Sequence, residues 1–351
     1  MNLTHTTFQL RYYQIELIQK VYAHWSKNKK KILLQLLTGG GKTILFGAIA
    51  REFALRNEKV LVLAHREELI LQAANKIGAI ANCAIGIIKA GYQLDLDAPI
   101  QVASVQTLVN RLSLLEAVGL VVIDEAHHST ASTYKKILEA YPDAYQLGVT
   151  ATPIRLDGSG FDDLFDELVT NISVSQLIDD GYLSKFKLYA DPSPMCTQGV
   201  KNFSGDFSLA GVAKVNDTVK LSGNLLNSYR KYADGKQCVV FAVNVKHSKA
   251  IADRYNQAGI AAIHLDGSTS PQERHNALER FKRREIKVLT NCALFDEGLD
   301  IPALEAVQIA KPTQSLARWL QMVGRALRPA AGKEHAIIID MVRLRNTFVM
   351  L

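Results

Sequence analysis

The chain alternates short apolar runs with longer amphipathic stretches. In its first half Ile32–Leu37, Val60–Ala64, Ile100–Ala103, Leu120–Ile123 and Gln146–Thr150 are runs of strand length. Several are apolar throughout, as expected of strands buried on both faces of a parallel sheet. Between them Thr43–Leu55, Glu67–Ala79 and Ser132–Ala140 carry apolar residues at helical spacing and have the length of crossovers, which predicts βαβ units. The second half repeats the pattern with Val239–Phe241, Ala261–Leu265, Lys287–Thr290, Ala306–Ile309 and Ala336–Ile339. Asn244 is expected to cap a helix through Ala258, and Pro271 to open another through Arg283. Asp191–Asn216 has scattered Pro and Gly and little periodicity, and reads as a long loop or a divergent insertion. The expected fold class is α/β, with two lobes over residues 1–183 and 184–351.

Composition narrows the class. The 351 residues are 48% hydrophobic and 21% charged, which excludes a disordered chain. No stretch reaches the roughly 18 apolar residues of a membrane span. Met1–Leu10 has no basic segment followed by an apolar core, so no secretory signal is expected. Cys83, Cys196, Cys238 and Cys292 stand far apart, which disfavours a disulfide framework or zinc knuckle and favours a reducing cytoplasm. Of the net charge of +7, the second half carries the excess: 24 of the 41 Lys+Arg but 15 of the 34 Asp+Glu lie in residues 184–351. That half suits either a polyanion or a solvated basic surface.

Three short segments carry chemistry. The first expected strand runs into Thr38-Gly39-Gly40-Gly41-Lys42-Thr43 and then a helix. The glycines let backbone amides curl toward a polyphosphate, and the start of the helix adds favourable partial charge. Lys42 would reach the β- and γ-phosphates of a nucleotide such as ATP, and the Thr43 hydroxyl would ligate Mg²⁺. Leu36 stands where the full pattern wants a first glycine. Leu120–Ile123 leads into Asp124-Glu125-Ala126-His127, placing two carboxylates at the end of a buried strand, where open parallel sheets bind ligands. Asp124 would hold Mg²⁺ and Glu125 would orient and deprotonate the attacking water. Finally, Gln321-Met322-Val323-Gly324-Arg325-Ala326-Leu327-Arg328 puts two arginines three apart, which share one face if helical. Such arginines can complete a hydrolytic site by neutralising transition-state charge.

Together these segments resemble a superfamily 2 helicase with a DEAH-type box and two RecA-like lobes, over about Leu10 to Asp340. Leu10–Gln14 is similar to the adenine-reading element, with Gln14 facing the base, Arg11 beside it, and either Tyr12 or Tyr13 as a stacking ring or as core. Leu37–Thr43 matches the phosphate loop as this superfamily writes it. The resemblance implies strand contacts by His65, Arg66, Gln106 and Thr107 in the first lobe. In the second it implies Gly267, Ser268, Thr290 and Asn291. His127, Thr150 and Thr152 would couple hydrolysis to lobe movement, and Gly298 and Asp300 of the fifth motif would face the nucleotide. Gln321 opens the sixth motif, with Arg325 and Arg328 acting on ATP in the cleft between lobes. Asp296 departs from the hydroxyl residue that relatives often carry there.

The segment after Gly148 looks most like the RadD-like and type III restriction-subunit branch, which implies DNA more than RNA. RadD-like members carry a further cysteine-bearing part to which nothing in these residues corresponds. The expected activity is ATP hydrolysis coupled to stepping along duplex, forked or branched DNA, gripped through its backbone without sequence preference. A protein partner would supply specificity. An RNA helicase, or an ATP-gated clamp that separates no strands, remains the alternative. His127 and His128 have no third ligand in view, so no metal site other than that of Mg²⁺ is expected.

Overall fold

The structure, a computed structural model, describes residues 9–64, 67–126, 132–153, 160–161, 163–190, 195–203, 206–216, 218–295 and 304–342. It divides into two compact units, Met1–Ser173 and Val174–Leu351.

In the first unit the order is α1 (Tyr12–Trp25), β1 (Lys31–Gln35), α2 (Lys42–Leu55), β2 (Val60–Ala64), α3 (Glu67–Ala81), β3 (Ile85–Ile88), β4 (Ile100–Ser104), α4 (Val105–Leu108), β5 (Leu120–Asp124), α5 (Ser132–Ala140), β6 (Tyr145–Thr150) and β7 (Glu167–Val169). The strands form one sheet in the order β3-β4-β2-β5-β6-β1-β7, with parallel pairing throughout. β2 and β4 are buried at every position, which is why β2 is an unbroken run of Val, Leu and Ala, while in β4 the buried Gln101 amide donates to Asp95 O and Ala98 O. β6 lies between β5 and β1, with Asp124 opposite Val149 and Gln35 opposite Thr150. The carboxyl ends of β1, β5 and β6 therefore meet at one edge of the sheet, and that edge carries the candidate chemistry.

Gly148, in the middle of β6, is required by packing. A Cβ there would lie 2.3 Å from the Phe165 ring. Gly148→Ala is expected to destabilise this unit by about 1–3 kcal/mol through overpacking, read as a lower midpoint in denaturant unfolding with an unchanged slope.

The second unit contains α6 (Val174–Asp179), β8 (Phe186–Ala190), β9 (Asn202–Phe203), β10 (Asp206–Phe207), α7 (Leu209–Val215), α8 (Thr218–Tyr232), β11 (Cys238–Ala242), α9 (Val245–Gln257), β12 (Ala262–Leu265), α10 (Pro271–Lys282), β13 (Val288–Asn291), β14 (Ala306–Ala310), α11 (Leu316–Gly324) and β15 (Ala336–Asp340). Its main sheet is parallel, in the order β12-β13-β11-β14-β15-β8. Asn244 caps α9, its Oδ1 accepting from His247 N at 2.8 Å. α10 opens on Pro271 behind a reciprocal Ser270–Glu273 box.

The segment read as a loop or insertion holds the β9–β10 antiparallel pair and α7. It is tied to the start of α11 through Asp206. One carboxylate oxygen accepts from Thr313 Oγ1 and an Arg318 guanidinium nitrogen, each at 2.7 Å, and the other accepts from Gln314 N at 2.7 Å. Among the described residues no helix is long and apolar enough to cross a membrane.

Candidate active site

The loop after β1 begins with Leu36 N donating to Thr150 O at 2.9 Å. Gly39 (φ 90°) and Gly41 (φ 86°) both adopt the left-handed region, which a side chain would resist. Gly41 also has a spatial reason, since a Cβ there would meet Gln14 Nε2 at 2.4 Å. Gly41 is the cap residue of α2 and supplies no side-chain cap, so the first amides of that helix remain available to an anion. Lys42 Nζ donates to Glu125 Oε1 at 2.6 Å, and both side chains are largely buried. Glu125 itself sits at φ 52°, a backbone position that costs a non-glycine residue on the order of 1–3 kcal/mol and is concentrated at functional sites. Its amide donates to Asp124 Oδ1 at 3.0 Å.

These residues fit a nucleoside triphosphate with Mg²⁺. The loop supplies amides and one lysine, and among the described residues the buried Thr38 hydroxyl has no hydrogen-bond partner. Thr43 and Asp124 carry hard oxygens of the kind that Mg²⁺ takes. Thr150 and Thr152 are buried at the end of β6. Thr150 Oγ1 donates to Thr152 O at 2.7 Å and lies 3.2 Å from Thr152 N, closing a tight turn beside the loop.

At the start of α1 the structure separates the two tyrosines. Tyr12 is exposed and Tyr13 is core. Tyr13 OH donates to Gly40 O at 2.7 Å and accepts from Arg11 at 2.7 Å. The Gln14 side chain is buried. Its Nε2 donates to Gly40 O at 3.1 Å and Gly41 O at 3.3 Å, and its Oε1 accepts from Arg11 N. Arg11, Tyr13 and Gln14 together brace the glycine loop. Tyr13 was not separable from Tyr12 in the sequence, because burial alone distinguishes them.

In the second unit α11 ends at Gly324, with Arg325 as its cap. Arg325 and Arg328 therefore stand on the turn that follows, not on one helical face as the three-residue spacing suggested. Past the helix end the carbonyls are taken by other groups: Leu327 O accepts from Ser184 N, and Arg328 O from Lys333 Nζ and Ser184 Oγ. Gln321 and Arg325 are buried. Burial also pushes the Arg328 guanidinium below its ordinary value.

The expected strand contacts divide into two kinds. Gln106 is exposed and Thr107 half-buried on α4, directly after β4, while Gly267 and Ser268 are exposed after β12. Thr290 and Asn291 are fully buried. Thr290 Oγ1 donates to Ser248 O at 2.9 Å, and Asn291 Nδ2 donates to Val240 O at 3.0 Å. Their side chains tie β13 to α9 and to β11 and do not line a surface. Asp266 holds Ser268 by its amide and hydroxyl (2.8 and 2.6 Å) and pairs with His264 Nε2 at 2.9 Å. The Ser268 and His264 bonds hold its carboxyl far below the usual carboxylate range. Ser248 and His264, 2.6 Å apart, extend this network inward, and Ser248 carried no sequence signal. His65, Arg66, His127, His128, Asp296, Gly298 and Asp300 lie outside the described residues.

The first parallel α/β unit thus carries a lysine loop facing an Asp-Glu strand end, and the second carries an arginine turn. Residues 7–155 match the family described as type III restriction enzyme, res subunit, and residues 218–330 match the helicase conserved C-terminal domain. The chain belongs to the superfamily 2 helicases, in the branch of the type III restriction subunits. It is 31% identical to the putative ATP-dependent helicase IRC3 of Saccharomyces cerevisiae over 95% of this chain and 51% of that protein. It is 24% identical to the DNA 3'-5' translocase XPB2 of Sulfurisphaera tokodaii over 95% of this chain and 81% of that protein. Among solved structures it resembles the ATP-dependent Type ISP restriction-modification enzyme LlaBIII bound to DNA. There the TM-score is 0.73 at 18% identity, over 95% of this chain and 28% of that one. The chain thus spans about half the length of the yeast relative.

Proposed function

We propose that this chain hydrolyses ATP in a nucleic-acid-stimulated cycle and uses it to step along or remodel DNA, in duplex, forked or branched form. The carrying observation is the Lys42–Glu125 pair at 2.6 Å beside a loop with two left-handed glycines. A cation and a candidate base held together over open helix amides are poised to be separated by a γ-phosphate. In this reading Lys42 turns from Glu125 to the β- and γ-phosphates, and Glu125, released, accepts a proton from the attacking water. Mg²⁺, held by Thr43 and Asp124, would neutralise phosphate charge. Arg325 and Arg328 neutralise the charge that develops on the γ-phosphate, with Gln321, Gly298 and Asp300 beside the nucleotide. His127, Thr150 and Thr152 pass its loss to the strand-contacting residues. We take residues 1–183 as the ATP-binding domain and 184–351 as the C-terminal helicase domain.

DNA is favoured over RNA by the names of two relatives, a DNA translocase and an enzyme bound to DNA. Contacts from His65, Arg66, Gln106, Thr107, Gly267 and Ser268 would reach the backbone, with Thr290 and Asn291 holding the loop above them. Backbone contacts read no sequence. Affinity for unrelated DNA sequences is therefore expected to be alike and to fall steeply with salt, as a linear slope in log affinity against log salt concentration. A fluorescence titration across salt concentrations checks this. The family name is that of a subunit, which supports a protein partner that supplies target choice. Four free cysteines support a reducing compartment, the cytoplasm.

Displacement of a third strand from duplex DNA tests movement. ATP-dependent displacement supports translocation on duplex, whereas ATP turnover without displacement supports the clamp reading.

A further inference from the structure

The turn that carries the two arginines is held by a half-buried lysine that belongs to no motif. Lys333 lies on the loop between that turn and β15, past a glycine at φ 74° (Gly332). Its ammonium reaches back under the turn. Nζ donates to Ala326 O, to Arg328 O at 2.8 Å, and to Leu304 O at 2.8 Å on the segment entering β14. An ammonium has three N–H donors, and here all three have carbonyl acceptors. Between them, Ser184 N donates to Leu327 O at 2.7 Å, and Ser184 Oγ donates to Arg328 O at 3.2 Å. Three successive carbonyls past the end of α11 are thus fixed by two residues from distant parts of the chain.

Carbonyls at a helix carboxyl end need partners and carry partial negative charge, so a cation there is doubly suited. A surface lysine would serve that electrostatic purpose cheaply. One drawn partly out of water costs desolvation, and the three bonds offset that cost only in this one conformation of the turn. The ammonium therefore acts as a rigid post, whose removal leaves Arg325 and Arg328 on a turn free to adopt others.

Resting on the proposed ATPase reading, we infer that Lys333, with Ser184, is a positioning residue for the arginine pair, setting the placement of the Arg325 and Arg328 guanidinium groups during hydrolysis.

Burial pushes the Lys333 ammonium down to about 8, with the Glu305 carboxylate opposing the shift. Glu305 is itself shared with Lys236 at 3.3 Å, Arg284 at 3.1 Å and the Gln237 amide. The other charged groups nearby are Arg325 and Arg328 on the turn, and Glu334 and His335 beside Lys333 in the chain. Since the folded value lies below the ordinary lysine value of 10.5, the unfolded chain holds more protons between these two pH values. This group's contribution to stability therefore rises with pH across that window. Its contribution to turnover runs the other way, because the neutral amine loses one of its three donors. A merely structural lysine would make activity follow stability, whereas a positioning lysine makes them diverge.

The test uses the full chain with wild type, Lys333→Met, Lys333→Arg and Ser184→Ala. It reads steady-state ATP turnover with a saturating DNA activator from pH 6.5 to 10, and thermal unfolding in the same buffers. Lys333→Met is expected to lose about 10²-fold in kcat, the scale of a misplacement near 1 Å, with KM for ATP within twofold, because the phosphate loop lies in the other unit. Lys333→Arg, charged at every pH used, is expected to keep turnover at pH 7 and to lack the wild-type decline near pH 8. Ser184→Ala should lower kcat less than Lys333→Met. Equal kcat for Lys333→Met and wild type, or the same alkaline decline in Lys333→Arg, overturns the inference. If Lys333→Met does not fold, the Lys333→Arg profile decides. A wild-type protein that hydrolyses no ATP under any condition overturns the functional reading itself, which is a separate result from an active wild type with unaffected variants.

Discussion

Glu125→Gln is expected to leave the protein able to bind ATP while lowering its turnover by about 10²–10⁴-fold, the range for loss of a general base. The substitution keeps the shape of the side chain, so the strained backbone at φ 52° and the bond from the Glu125 amide to Asp124 have no cause to change. What changes is charge. Glutamine cannot take a proton from water, and the 2.6 Å pair with Lys42 loses its ionic component. A lysine no longer held by an anion is more available to phosphate, so ATP affinity should stay level or rise while hydrolysis falls. Equilibrium binding of a fluorescent ATP analogue, set beside steady-state phosphate release, separates the two effects. Lost binding with lost turnover would instead make Glu125 a structural partner of the loop.

Arg325→Ala is expected to have a still larger effect, on the order of 10³–10⁵ in turnover, as for arginines that neutralise transition-state charge. Arg325 is 9% exposed and caps α11, so its backbone is set by the helix before it and the clamped turn after it. Its loss should remove stimulated turnover without changing ATP affinity, because the loop, Lys42 and Asp124 belong to the other unit. Arg325→Lys should recover little, since a lysine ammonium lacks the planar fork of the guanidinium. Single-turnover hydrolysis at saturating ATP reads this directly. A rate within tenfold of wild type would remove Arg325 from the hydrolytic step.

The sheet centres were legible because strands buried on both faces are written in the sequence as unbroken apolar runs. Val60–Ala64 is read at its observed bounds, and β11, β14 and β15 each differ by a residue or so. Of the four sheet edges only β12 was legible, read as Ala261–Leu265. β3 alternates half-buried and buried positions across Gly86, β7 has three residues, and β8 is partly exposed along its whole length. An edge strand has one neighbour and no uniform burial to record.

The same contrast holds at the site. Lys42 and Glu125 could be placed in one site because motifs at the carboxyl ends of strands in one parallel sheet converge, even with β6 between β5 and β1. Residues that hold a loop by its carbonyls, such as Tyr13 on Gly40 or Lys333 on Ala326 and Arg328, leave no trace in sequence, because any donor of sufficient reach could serve. Thr290 and Asn291 show the converse limit. A polar residue within a motif reads as a contact residue, yet these two are spent tying β13 to α9 and to β11.

Steady-state ATP hydrolysis tests the central claim most directly, measured without nucleic acid and then with single-stranded DNA, duplex DNA, forked DNA and single-stranded RNA, each at two salt concentrations. The account predicts strong stimulation by a DNA form, weaker at the higher salt and absent in Glu125→Gln. Turnover unaffected by every nucleic acid, or stimulated by RNA alone, would contradict it.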